Sequence, residues 1–407
     1  MTPQQEQPRL HRRLGTADAV TIGLGSMIGA GIFVAIGPAA AAAGSWLLVG
    51  LAAAAVVAYC NATSSARLAR RYPYSGGAYL YGRERLGEFW GYLAGLSFVV
   101  GKLASCAAMA LAVGYYIWPT HAHAVAVAAV TVLTAINYRG VEKSAALNRV
   151  IVAVVLAVLV AVVVIGLSSG NADLGRLGLG SGTSIGGVLQ AAALMFFAFA
   201  GYARIATLGE EVRDPAHTIP RAIAISFGIT LVVYTVVAAV ALTVLGATAL
   251  AHSAAPLADV VANVPAVEPI VRIGAAVAAL GSLLSLILGV SRTTLAMARD
   301  RHLPGALAAV HPRFGVPHRA EIAVGGLVAI VAAVADVRGV IGFSSFAVLV
   351  YYGVANASAL TLGRRVIPIA GLAGCATLAF ALPVTSIAVG VAVLAVGSAA
   401  YALHRLC

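Results

Sequence analysis

The chain has 407 residues, 61% of them hydrophobic and only 10% charged, and its mean hydropathy is +0.97. No soluble domain of this size hides that much apolar surface, so lipid must be the solvent for most of it. The net charge of +12 sits in short segments between apolar runs, which excludes a nucleic-acid footprint and points to membrane topology.

A spanning helix needs roughly 20 apolar residues. Taken in chain order, twelve segments qualify: 18–38, 43–65, 88–118, 122–138, 146–168, 186–208, 220–246, 267–297, 320–336, 338–362, 366–382 and 384–403. The expected class is therefore an all-α membrane protein of one domain, residues 1–407, with a cytoplasmic tail at 1–17. The first apolar run has no clear cleavage site and is followed at once by another, so it is expected to be a retained helix rather than a signal peptide. With the N-terminus inside, Arg176, Arg272 and Arg338 fall outside and Lys102 and Arg204 fall within spans; every other Lys and Arg falls in a cytoplasmic segment. This positive-inside pattern puts both termini in the cytoplasm and the basic segments against anionic lipid.

The first span, TIGLGSMIGAGIFVAIGP (21–38), carries five glycines. Each interior glycine costs a helix about 1 kcal/mol relative to alanine. An interruption at membrane depth is tolerated where its backbone lines a cavity or is buried in protein. There the amides that open the second half-helix attract an anion, and free carbonyls attract a cation. The sixth span has a weaker interruption at Phe199-Ala200-Gly201 among aromatics. Paired interruptions in two inverted repeats are a transporter signature. The repeats would be spans 1–5 (18–168) and spans 6–10 (186–362), with spans 11–12 (366–403) appended. Close helix packing through small residues is the competing explanation for Gly25 and Gly29.

Two ionisable residues fall near mid-depth. Lys102, near the middle of span 3, is a group that exchanges a proton, a fixed cation paired with carbonyls, or a direct contact to the substrate. Arg204 either favours an acidic substrate or pairs with a carboxylate toward the cytoplasm. Glu210, Glu211 and Arg213 form a candidate intracellular gate, and Ser282 and Ser285 are candidates for the wall of an ion site. His217, His302, His311 and His318 are expected to be solvated in cytoplasmic loops. Cys60, Cys106, Cys375 and Cys407 are isolated, so neither disulfides nor a metal site are expected. With no phosphate-binding GxxxxGK[ST] motif, no nucleotide or other cofactor is expected.

Four stretches carry a family resemblance. GLGSMIGAGIF (23–33) resembles the first-helix signature of the amino acid–polyamine–organocation permeases. ARLARRYPYSGGAYLYGRERLGEFWGYLAG (66–95) resembles their loop between spans 2 and 3. FFAFAGYARIATLGEEVRDPAHTIPRAI (196–223) is similar to the cationic-amino-acid branch around span 6, and SRTTLAMARDRHLP (291–304) to the end of span 8. The resemblance implies a LeuT-like fold with a 5+5 inverted repeat and spans 1 and 6 unwound. It implies secondary transport of an amino acid, proton-coupled or by exchange. On the family pattern, Ser26, Met27, Ile28, Gly29, Ala30 and Gly31 receive the substrate carboxylate. Carbonyls of Phe197, Ala198 and Ala200 receive the ammonium, Phe197 lids the site, and Gly201 with Gly31 leaves room for the backbone. Three positions depart from the pattern: Val155 stands for a span 5 lysine, Gly101 for a span 3 carboxylate and Ala203 for an acid after the span 6 interruption. The alternative functions are a solute sensor or accessory protein of the same fold and, less favoured, a membrane enzyme.

Overall fold

A computed structural model describes residues 14–406 except 73, 75, 141–144, 181, 182, 207, 209 and 210. Glu210, one of the gate candidates, is outside the described residues. The described chain is helical, apart from an isolated bridge between Leu14 and Val212.

The first predicted span is two helices, α1 (Thr16–Met27) and α2 (Ala30–Ala43). At the start of α1, the Asp18 carboxylate reaches back to the Gly15 amide at 3.1 Å, satisfying one of the donors a helix start leaves open. The other major elements are α3 (Leu47–Arg71), α4 (Gly77–Leu86), α5 (Glu88–Ile117), α6 (Ala122–Tyr138) and α7 (Ala145–Ser168). The second half holds α8 (Ile185–Phe199), α9 (Ala203–Ala206), α10 (Pro215–His252), α11 (Pro256–Val260), α12 (Glu268–Arg299), α13 (His318–Val334) and α14 (Val337–Leu360). Two final helices, α15 (Val366–Ala381) and α16 (Val384–Leu406), complete the chain.

The predicted spans and these helices agree closely at their ends. The largest differences have local causes. α3 continues into SSARLARR because helix-forming arginines suit a helix C-terminus. α10 begins early because Pro215 supplies a preset first turn, and it bends at Gly246 (φ 74), where the sequence pattern ends the span. Among the described residues, nine helical stretches are long and apolar enough to cross a membrane. Val154, Val160, Val232, Ile273, Leu327, Ile330 and Val396 are exposed on the outer surface. Such a surface belongs in lipid rather than water.

Packing crosses between the two halves of the chain. α3 packs on α8, and α10 packs on α1 and α2. α5 packs on α14 and α12, α7 on α12, and α6 on α13. Small residues at these crossings let backbones approach, which compensates for the weak hydrophobic drive between helices in lipid.

Candidate functional site

The helix break between α1 and α2 falls at Ile28 and Gly29. Gly29 is the N-cap of α2 and has no side chain to cap it. The amides of the first α2 turn, beginning at Ala30 and Gly31, therefore have no intrahelical acceptor. The second break follows α8. A 3-10 turn, Ala200–Tyr202, replaces α-helix and leads into the short α9.

The two breaks touch backbone to backbone. A methyl group at Gly31 would lie 2.7 Å from Ala198 Cα, and one at Gly201 would lie 2.1 Å from the Ser26 carbonyl oxygen. A methyl at Gly29 would meet Ser282 Oγ at 2.0 Å. Met27, Ile28, Phe197, Ala198 and Ala200 are buried at this crossing. Ser26 turns its hydroxyl back onto its own helix, donating to Ile22 O at 2.8 Å.

Each span 6 carbonyl expected to receive an ammonium already has a donor. Phe197 O accepts the Ala200 amide. Ala198 O lies 3.0 Å from the Tyr234 hydroxyl, which is also 2.5 Å from Met27 O. One hydroxyl proton serves one acceptor at a time, so Tyr234 bridges the breaks by alternation. Ala200 O receives two donors, Lys102 Nζ and the Tyr352 hydroxyl, each at 3.3 Å. Lys102 is 6% exposed, and both tyrosines are completely buried. Neither tyrosine was singled out from sequence. The signal was a hydroxyl in the middle of an apolar span, which must find an acceptor. Further rings surround the break: Phe199 lies 5.2 Å from Tyr234, and Phe196 5.9 Å from Tyr352.

On the other side of α1, Ser282 donates to Gly25 O at 3.0 Å, while Ser285 donates to its own helix at Gly281 O, 3.1 Å. A cavity of about 10 Å³ lies here, lined by Gly25, Ile28, Gly29, Val152, Val155 and Ala278 among others. Ser282 thus reaches the first break and Ser285 does not. Val155 lines this cavity beside the same stretch of α1.

The remaining candidates follow the second break. Arg204 is partly buried on α9. Glu211 enters through its backbone: its carbonyl accepts the Leu14 amide at 3.1 Å, while the Arg213 amide donates to Leu14 O at 2.9 Å. These bonds strap the chain before α1 to the segment after α9.

One sequence expectation needs correction. His302 is not solvated. Its side chain is 9% exposed, with Nδ1 2.9 Å from the Tyr79 hydroxyl and Nε2 3.6 Å from Glu88. Tyr79 also donates to Asp300 at 2.5 Å, and Arg83 pairs with Asp300 at 2.6 Å. These residues form a latch between α4, the start of α5 and the end of α12. Burial and the Asp300 carboxylate push the Tyr79 phenol above its ordinary value. A further buried acid, one that the sequence reading does not single out, is Glu321. It is 0% exposed in the first turn of α13.

Interrupted helices that meet inside a lipid-faced, all-helical bundle define a multi-pass membrane transporter. Comparison with known proteins assigns it further. The chain belongs to the amino acid permease family, whose model matches residues 14–403. It is 68% identical to an uncharacterized transporter of Mycobacterium tuberculosis, over 100% of this chain and 94% of that protein. It is 30% identical to the methylthioribose transporter of Bacillus subtilis, over 87% of this chain and 80% of that one. The branched-chain amino acid permease of the same organism is 28% identical, over 76% of this chain and 72% of the relative. The substrate of this chain is thus a small molecule.

Proposed function

We propose that this chain is a secondary transporter of amino acids in the cytoplasmic membrane. It works by alternating access, with twelve spans and both termini in the cytoplasm. The observation that carries this reading is the meeting of two helix breaks at one place. One presents open amides and the other presents carbonyls. A zwitterion has the matching charges: its carboxylate suits the amides beginning at Ala30 and Gly31, and its ammonium suits the carbonyls of span 6.

Spans 1–5 and 6–10 act as inverted repeats in this reading, and spans 11–12 are peripheral. Support comes from the packing pairs. Exchanging each span with its counterpart turns the pair α3 and α8 into α10 with α1 and α2. It also turns α5 and α14 into α12 and α7, and it maps α6 and α13 onto themselves; each product is a pair that packs. Relatives named for branched-chain and cationic amino acids support the substrate class.

The test is uptake by purified protein in liposomes, using labelled amino acids of every charge class. Saturable uptake is expected. Accumulation driven by a pH gradient would identify proton coupling, and stimulation by internal amino acid would identify exchange. Absence of uptake for every amino acid would overturn the proposal.

A further inference from the structure

The ammonium of Lys102 stands 3.3 Å from Ala200 O, on a carbonyl that the proposed function gives to the substrate's ammonium. That oxygen also accepts from Tyr352, so both of its lone pairs are engaged. The break therefore already contains one bound ammonium, and it belongs to the protein.

Among the described residues, no ion pair includes Lys102, and the carboxylates that the helix ends hold lie elsewhere. Asp18, Glu88, Glu268 and Glu321 are in first helical turns. Asp214 and Asp336 are N-caps, and Asp300 is a C-cap. Several are already paired: Asp18 with Arg149, Asp300 with Arg83 and Glu268 with Arg272. The start of α2 adds partial positive charge to the same centre. Two donors of the Lys102 ammonium remain once Ala200 O is served.

We infer that the substrate carries a net negative charge and that its second carboxylate pairs with Lys102. This rests on the reading of the two breaks as the substrate site. An acidic amino acid fits the three features together. Its α-carboxylate takes the α2 amides, and its ammonium takes the unfilled lone pairs of Phe197 O and Ala198 O. Its side-chain carboxylate supplies the charge that Lys102 lacks. A neutral amino acid leaves that cation uncompensated in a low-dielectric site, and a cationic one adds a second like charge. Lys102 is then a specificity determinant for an anionic side chain.

L-Glutamate and L-glutamine have nearly the same shape and differ in charge, so they isolate this effect. In liposomes, wild-type protein should take up glutamate or aspartate at least about tenfold better than glutamine or asparagine, the factor that one small charge discrimination supplies. Lys102→Met should lose uptake of the acids and narrow or reverse that ratio. Lys102→Arg keeps the charge and should keep the acidic preference. A best substrate that is neutral or cationic would overturn the inference, as would acidic preference surviving in Lys102→Met. Loss of all uptake in both variants, with wild type showing no acidic preference, would also overturn it. The wild-type comparison decides the matter even if the methionine variant does not fold. Failure of the underlying site reading looks different: Gly31→Leu, well expressed, would keep normal uptake of every substrate.

Discussion

A methyl group at Gly201 would lie 2.1 Å from the Ser26 carbonyl oxygen and 2.7 Å from the Met27 amide nitrogen. Both neighbours are backbone, so neither can swing aside. Gly201→Ala should therefore separate the two breaks, lowering stability by about 1–3 kcal/mol as overpacking does and abolishing uptake. Gly228 provides the contrast: it lies inside α10 with nothing within 4 Å of an added methyl. Gly228→Ala should leave uptake intact and raise the melting temperature slightly, since alanine favours a helix by about 1 kcal/mol. Equal melting temperatures and uptake for the two variants would show that close approach at Gly201 is unimportant. Tyr234→Phe removes the hydroxyl shared by Met27 O and Ala198 O. Leaving buried carbonyls without this donor should cost about 1–3 kcal/mol, read as a lower melting temperature in detergent. The glycines at 29, 31 and 201 were legible as breakers, because local composition sets helix propensity. The tyrosine was not, because its acceptors are on other helices.

At the scale of elements, the latch of Tyr79, Arg83, Glu88, Asp300 and His302 holds α4 against the end of α12. Its ion pair is partly exposed, with Arg83 and Asp300 side chains 30% and 35% accessible. A pair of that kind contributes about 0–1 kcal/mol. Asp300→Asn should therefore change overall stability little. Its effect should appear as easier access of a cysteine reagent to a Cys introduced at Met297, the residue above the latch in α12 whose thioether faces Gly95. Unchanged labelling would show that the latch does not control opening at this end. Tyr79 supplies a pH dependence with a definite sign. Burial and Asp300 raise its folded value above 10.0, so the unfolded chain releases its proton first. Stability from this group is complete below pH 10 and falls as pH rises beyond it. The alkaline loss should be smaller in Tyr79→Phe when melting is compared at pH 8 and pH 11; an equal loss in both proteins would exclude Tyr79 as its source. None of this latch was visible in sequence as a unit. Its members come from two helices and the segment that ends α12, and His302 in isolation looks like any solvated loop histidine.

For the molecule as a whole, the asymmetry of Lys and Arg predicts that loops 66–88, 210–221 and 299–319 face the cytoplasm and 168–182 faces outward. Cys60, Cys106 and Cys375 are buried, so with Cys407 replaced a single Cys introduced in each loop reports its side with little background. An impermeant reagent added to intact cells should modify the last loop alone. Modification of the first three, with the last protected, would invert the topology.

Apolar run length and the placement of charge determined the membrane class and most helix ends, and the glycines marked the two breaks, because each depends on residues close together in the chain. The four quoted motifs carried the family in the same way, as local patterns. Tertiary structure alone decided which groups hold the broken backbone. Lys102 and Tyr352 meet on Ala200 O, and Tyr234 joins Met27 to Ala198, across sequence distances that no periodicity spans. It also decided that Glu321 and His302 are buried. Burial depends on what the rest of the chain lays over a residue, and a hydropathy window cannot see that.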